Sequence, residues 1–237
     1  MAPVTEGRVL NGDTSIYYRC FGKGKPLILL HGNGEDYTCF EKVLEDFSKH
    51  FFIVAIDSRG HGKSGYSKKI TIDLMAKDVI AVLDKLKLDK VSLLGFSDGA
   101  NVAIAFTLMA KDRLDKLVLA GANLYPSGIK EYYQIPTVFK YVFLRFCSIL
   151  SKNAYEKSKI IGLMVLEPHF KPRQLSAIDV PTLVLAGEKD MIKEKHTRLI
   201  ASSIKGADLI IIKGADHFIF DMEPIESVKI VLNFLLN

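Results

Sequence analysis

Six apolar runs punctuate the chain, and most of them end on a glycine-bearing or polar turn. Pro26-Leu27-Ile28-Leu29-Leu30 runs into His31-Gly32-Asn33-Gly34. Phe51 to Ile56 ends at Asp57, and Val91 to Leu94 at Gly95. Leu117 to Ala120 ends at Gly121, Thr182 to Ala186 at Gly187, and Leu209 to Ile212 near Gly214. The runs are short and show little polar alternation, the pattern of strands buried on both faces of a parallel sheet. The opening reads as two short strands around the turn Asn11-Gly12-Asp13, the second over Ile16 to Cys20.

Helical periodicity fills the gaps. Asp73 to Leu86 carries Leu74, Val79, Val82, Leu83 and Leu86 on one stripe. Ala100 to Ala110 is almost wholly small or apolar, which predicts a buried helix, and Ile225 to Leu236 predicts a closing amphipathic helix. Alternating strands and helices imply an α/β fold: a mostly parallel sheet with helices on both faces. Residues 122–178 break this rhythm. They hold no buried-strand run but two helical patterns, Val138 to Leu150 and Tyr155 to Leu166. The expectation is one domain over 1–237, with a helical lid inserted at 122–178.

Composition narrows the class. Hydrophobic residues make up 49% of the 237 and charged residues 25%, the balance of a globular protein. The net charge of +5 comes from scattered lysines and arginines, with no basic stripe interleaved with aromatics, so a nucleic-acid partner is not expected. Met1 to Asp13 has no apolar core of a signal peptide, and no run is long enough to span a membrane. Three cysteines without metal-like spacing suit reduced thiols in a cytoplasmic protein. These readings predict no metal, no cofactor and no membrane partner.

The candidate chemistry centres on Gly95-Phe96-Ser97-Asp98-Gly99. G-x-S-x-G alone is weak, but here a strand runs in and a helix runs out, the setting a nucleophile elbow requires. The turn is so tight that a Cβ two residues either side of the serine would collide with its neighbours. A serine needs a base, and histidine suits neutral pH. Of six histidines, His217 follows the last strand and can fold back over the edge where Ser97 emerges. The carboxylate behind it is assigned to Asp190, with Glu188 as runner-up, since Gly121-Ala122-Asn123 offers no acid at the other usual position. Two N–H groups must meet the oxyanion, and the assignment is the backbone N–H of Asn33 and of Asp98. The side chain of His31 is expected to bond neighbouring backbone.

These motifs, with Asp57-Ser58-Arg59-Gly60-His61-Gly62-Lys63-Ser64, resemble the α/β-hydrolase superfamily in kind and order. The resemblance implies an eight-stranded sheet with one antiparallel strand, a structural role for the Asp57 to Gly65 loop, and Ser97, Asp190 and His217 as catalytic triad. It implies a serine hydrolase that cleaves a carboxylic ester or related acyl compound of small size. Carbon–carbon bond hydrolysis, peptidase activity and a small-molecule sensor on the same fold stay open. The lid stripe, with Phe139, Phe143 and Phe146, is expected either to line an apolar substrate pocket or to pack the lid onto the core. Gly-x-Ser-Asp-Gly also resembles elbows in which the acid meets an amino group of the ester. That makes Asp98 a candidate substrate contact; the competing reading of the acid is a helix N-terminal charge.

Overall fold

The computed structural model describes residues 5–237. The chain begins with β1 (Thr5–Asn11), β2 (Thr14–Phe21) and β3 (Lys25–Leu30), then α1 (Glu41–Ser48), β4 (Phe51–Asp57) and α2 (Ile72–Leu86). It continues through β5 (Val91–Phe96), α3 (Asp98–Ala110) and β6 (Leu114–Ala120). Three helices follow: α4 (Glu131–Cys147), α5 (Lys152–Leu166) and α6 (Pro172–Leu175). The last elements are β7 (Thr182–Gly187), α7 (Glu194–Ser203), β8 (Asp208–Ile212), α8 (Ile219–Met222) and α9 (Pro224–Leu236).

The strands form one eight-stranded sheet in the order β1-β2-β4-β3-β5-β6-β7-β8. All pairings from β4 through β8 are parallel, and β2 runs against both of its neighbours. The single reversed strand is the one the resemblance implies. Continuous apolarity has a simple cause here: successive residues of β3 feed opposite cores. Ile28 and Leu30 join α2 and α3 on one face, while Leu27 and Leu29 join α1, α8 and α9 on the other. Polar positions would have nowhere to face water.

Chain order reverses direction across the sheet between β3 and β5. In a sheet of this kind that crevice, at the carboxyl ends of the strands, is where ligands bind. The loops after β3, β5, β6, β7 and β8 all open there.

Between β6 and β7 lie α4, α5 and α6 and no strand, as the broken rhythm predicts. The predicted start of the first helix is corrected. It begins at Glu131, seven residues before Val138, because Pro136 sits inside the helix on its exposed side. There the missing N–H costs a bond whose carbonyl water can satisfy. A larger correction concerns the apolar stripe. Phe139, Phe143 and Phe146 are 72%, 65% and 73% exposed, so they neither line a pocket nor pack on the core. α4 touches α5 through its opposite side, where Tyr141 lies against Gly162 and Gln134 bonds the Met164 carbonyl at 3.0 Å. Phe139 and Tyr141 point about 200° apart on a helix, so packing one exposes the other.

Candidate active site

Ser97 stands between β5 and α3 at φ 55° and ψ −122°. A positive φ on a residue with a side chain costs on the order of 1–3 kcal/mol, so neighbours must hold it. The Ser97 N–H donates to the Ala120 carbonyl at 2.8 Å, and the Ser97 carbonyl accepts from Ala100 and Asn101 at 2.9 and 3.3 Å. The glycines are needed for the space the turn leaves. A Cβ on Gly95 would lie 2.3 Å from the Gly99 carbonyl oxygen, and one on Gly99 would lie 2.1 Å from that of Leu30.

His217 and Asp190 meet the serine across the strand ends. His217 Nε2 lies 2.9 Å from Ser97 Oγ, and His217 Nδ1 lies 2.7 Å from Asp190 Oδ1. The imidazole and the carboxylate are buried, and the ring packs on Phe96 with centroids 5.0 Å apart. Asp190 Oδ1 also accepts the Ile192 N–H at 2.8 Å, which fixes the carboxylate plane. Glu188 turns away: it is exposed and accepts the Gly214 N–H at 2.8 Å. Asp216 accepts the N–H of Phe218 instead of reaching the ring. Gly121 is a further member that sequence reasoning read only as a strand end. Its φ is +64°, and a Cβ there would lie 2.8 Å from His217 Cε1, so a side chain would displace the imidazole.

The loop after β3 presses onto the serine. A Cβ on Gly32 would lie 3.1 Å from Ser97 Cβ. The Gly32 N–H donates to Glu35 Oε2 at 3.0 Å. Among the described residues the backbone N–H groups of Asn33 and Asp98 donate to nothing else. Asp98 N–H also heads α3, where the helix dipole favours negative charge.

The side chain of Asp98 has a different occupation from the one expected. It is buried, and its two oxygens accept from Asn33 Nδ2 at 2.9 Å and Asn101 Nδ2 at 3.2 Å. Asn101 bonds Asn123 in turn, and the Asn33 amide also donates to the Ile160 carbonyl of α5 at 2.7 Å. The expectation of Asp98 as a substrate contact is therefore corrected: the carboxylate is consumed by holding the Asn33 loop and α5 together. Burial pushes its pKa above the ordinary range despite both amides. Asn101, the one amide in the nearly apolar run Ala100 to Ala110, was the available signal for this network.

A cleft of about 330 Å³ is lined by Glu35, Cys39, Lys42 and Phe220 together with Phe96 and Phe218, the chain neighbours of Ser97 and His217, while Ser97, His217 and Asp190 are not themselves in its lining. Burial raises the Glu35 pKa, and Lys42 is paired to Asp221 at 2.8 Å. A wider cavity of about 660 Å³ lies at the β8 edge, around Lys116, Leu183 and Phe234, and contains none of the three residues above. No group of three or more His, Cys, Asp or Glu suited to a metal occurs among the described residues.

Two further histidines brace the loops. His31 Nδ1 donates to the Gly32 carbonyl at 2.8 Å, while its Nε2 accepts the Ser58 N–H at 2.9 Å. Nε2 of His196 accepts the Leu124 N–H at 2.8 Å. An accepting nitrogen cannot carry a proton, so both rings are neutral. The Asp57 to Gly65 loop is structural: Asp57 accepts from Tyr37 and Lys63, and Arg59 forms a buried two-point pair with Asp78 at 2.7 and 2.6 Å.

Burial lowers the pKa of His31, His61 and His196 to about 4. The unfolded chain binds protons near the ordinary 6.5 while the native state refuses them until about 4. Stability from these groups is therefore complete above 6.5 and is lost as pH falls toward 4. His196→Gln, whose amide oxygen can still accept from Leu124, is expected to flatten the pH dependence of unfolding free energy between these limits by up to about 1.4 kcal/mol per pH unit. Urea titrations across that range check this, and an unchanged slope would refute it.

The fold has known counterparts. A family model described as alpha/beta hydrolase fold matches residues 25–146. A Haemophilus influenzae protein named "Putative esterase/lipase" is 38% identical over 88% of this chain and 82% of its own. The Pseudomonas putida 2-hydroxy-6-oxononadienedioate/2-hydroxy-6-oxononatrienedioate hydrolase 1 is 32% identical over 96% of this chain and 95% of its own. Among solved structures, the enol-lactonase from Burkholderia xenovorans LB400 superposes with a TM-score of 0.83 at 20% identity, covering 98% of this chain and 100% of its own. The chain belongs to the alpha/beta hydrolase family.

Proposed function

We propose that this protein is a serine hydrolase that cleaves a small carboxylic ester or related acyl compound through an acyl-enzyme on Ser97. The observation that carries the reading is the hydrogen-bonded array Ser97 Oγ, His217, Asp190 at 2.9 and 2.7 Å, beside two unengaged backbone N–H groups. His217 Nε2 takes the hydroxyl proton as Oγ attacks the acyl carbon. The resulting oxyanion accepts from the N–H groups of Asn33 and Asp98. Asp190 holds the Nδ1–H tautomer and stabilises the imidazolium. The intermediate collapses, His217 protonates the departing alcohol, and a water activated by the same nitrogen releases the acid. In this reading α5 is the inner part of a lid, tied to the oxyanion loop through Ile160 and Asn33.

Charge supports a neutral ester over a diacid such as the one named for the Pseudomonas putida relative. Glu35 lies in the cleft, and the Lys42 ammonium there is already paired to Asp221, so no free cation in its lining awaits a substrate carboxylate. Phe96 and Phe218 offer apolar surface to a short acyl or alkyl group.

The test is a series of p-nitrophenyl esters of graded chain length, with a fluorophosphonate label mapped by mass spectrometry. Multiple turnovers on short esters and a label on Ser97 are expected. A ligand-binding sensor on this fold would show negligible turnover, and absence of both turnover and label would sink the proposal.

A further inference from the structure

The outer face of α4 is the largest anomaly in the surface. Ile135, Phe139, Val142, Phe143, Phe146 and Leu150 recur at helical spacing along one side and its C-terminal extension, and each is more than half exposed. The three phenylalanines alone present roughly 400 Å² of apolar surface, taking about 200 Å² for each whole side chain. That already reaches the size at which an exposed patch signals a binding surface.

The two charged side chains that flank the stripe, Lys140 and Arg145, are both basic and exposed, and the acids at either end, Glu131 and Glu156, are paired to Lys193 at 2.6 Å and to Lys152 at 4.0 Å. Lys140 steps to one side of the stripe from Phe139, and Arg145 steps to the other from Phe146. A second copy of this face would bring the Lys140 and Arg145 flanks together, with the neighbouring acids already paired. A surface that takes apolar side chains and offers negative charge around them fits both features.

We propose that this face of α4 docks onto an anionic lipid bilayer, with the phenylalanines at the headgroup–acyl boundary and Lys140 and Arg145 reaching up to lipid phosphates. A helix lying in the interface needs no spanning segment. The expected absence of a membrane partner rested only on the lack of such a segment, and no helix among the described residues is long and apolar enough to cross a membrane. The long basic side chains can lay their stems along the apolar stripe while their charges stay wet. α4 meets the rest of the molecule through α5 and through Glu131, which pairs with Lys193 at 2.6 Å, and the apolar face takes part in neither contact. The inference stands independently of the hydrolytic reading.

Co-sedimentation of the full chain with vesicles tests it, using phosphatidylcholine alone or mixed with phosphatidylglycerol. Binding is expected to the mixed vesicles, and to weaken by about tenfold or more on phosphatidylcholine alone or in high salt. Phe139→Ser, Phe143→Ser and Phe146→Ser together are expected to weaken it by at least about a hundredfold, with the thermal midpoint unchanged because all three are exposed. Lys140→Gln with Arg145→Gln is expected to remove the preference for the anionic vesicles. No binding to the mixed vesicles, or binding unchanged in the triple variant, would overturn the proposal. So would a stable dimer in sedimentation velocity that the triple variant dissociates, since that assigns the face to a second copy.

Discussion

Ser97→Ala is expected to lower kcat for ester hydrolysis by about 10⁶-fold, with His217→Ala close behind and the double variant no worse than either. In the proposed mechanism the two side chains perform one act. Without Oγ there is no nucleophile, and without Nε2 at 2.9 Å nothing takes its proton. Whatever rate survives comes from the Asn33 and Asp98 N–H groups acting on a water attack, so KM is expected to change little. The replacement keeps the Cβ, so the backbone strain at φ 55° is the same in both proteins and folding is not the explanation for any loss. Steady-state kinetics on the best p-nitrophenyl ester, with loss of fluorophosphonate labelling, measures it. A Ser97→Ala protein retaining more than about a hundredth of the wild-type rate would mean another nucleophile.

Asp190→Asn is expected to cost about 10⁴-fold in kcat at neutral pH with the fold intact. An amide carries no negative charge to stabilise the imidazolium that forms when His217 accepts the serine proton. If the amide turns its NH₂ toward Nδ1, the proton moves to Nε2 and the imidazole can no longer accept from Ser97. The Ile192 N–H, 2.8 Å from Oδ1, can still be accepted by the amide oxygen, so loop geometry is preserved. Glu188→Gln is the control. Glu188 sits two residues earlier but serves the Gly214 turn, and its replacement is expected to leave kcat within about twofold, as for a surface change away from the chemistry. A large loss in Glu188→Gln together with a small one in Asp190→Asn would reverse the assignment.

Much of this site is readable from local patterns because its parts obey local rules. A nucleophile elbow requires glycine on each side of the serine, at Gly95 and Gly99, wherever the strand and helix lie. The residues at the ends of buried strands collect at one sheet edge, which brings Asp190 and His217 toward Ser97 without knowledge of the loops between. Glu188 against Asp190 was a choice among neighbours that only the loop path resolves. Asp98 was left between a substrate contact and a helix N-terminal charge because its sequence position is next to the nucleophile, while its environment is made by Asn33 from 65 residues away. Gly121 carried no local sign of its purpose, since the ring it makes room for arrives from the far end of the chain.

The lid shows the same division most sharply. A stripe of Phe139, Phe143 and Phe146 states that one side of a helix is apolar, and periodicity contains nothing about what covers it. Packing on α5 through Tyr141 turned the stripe outward, and what was expected as a pocket lining or a core contact is an exposed surface.

The sequence by itself determined the α/β layering, the strand set from β3 to β8, the elbow and the candidacy of Ser97, Asp190 and His217, which the structure brings together. These follow from covalent geometry and from side-chain periods of two and 3.6 residues, which act over a few residues. Tertiary structure alone decided the tautomers of His31 and His196, the capture of Asp98 by two amides, the space Gly121 leaves for His217 and the outward face of α4. Each of those depends on burial and on partners distant in the chain, and neither is encoded in any local run.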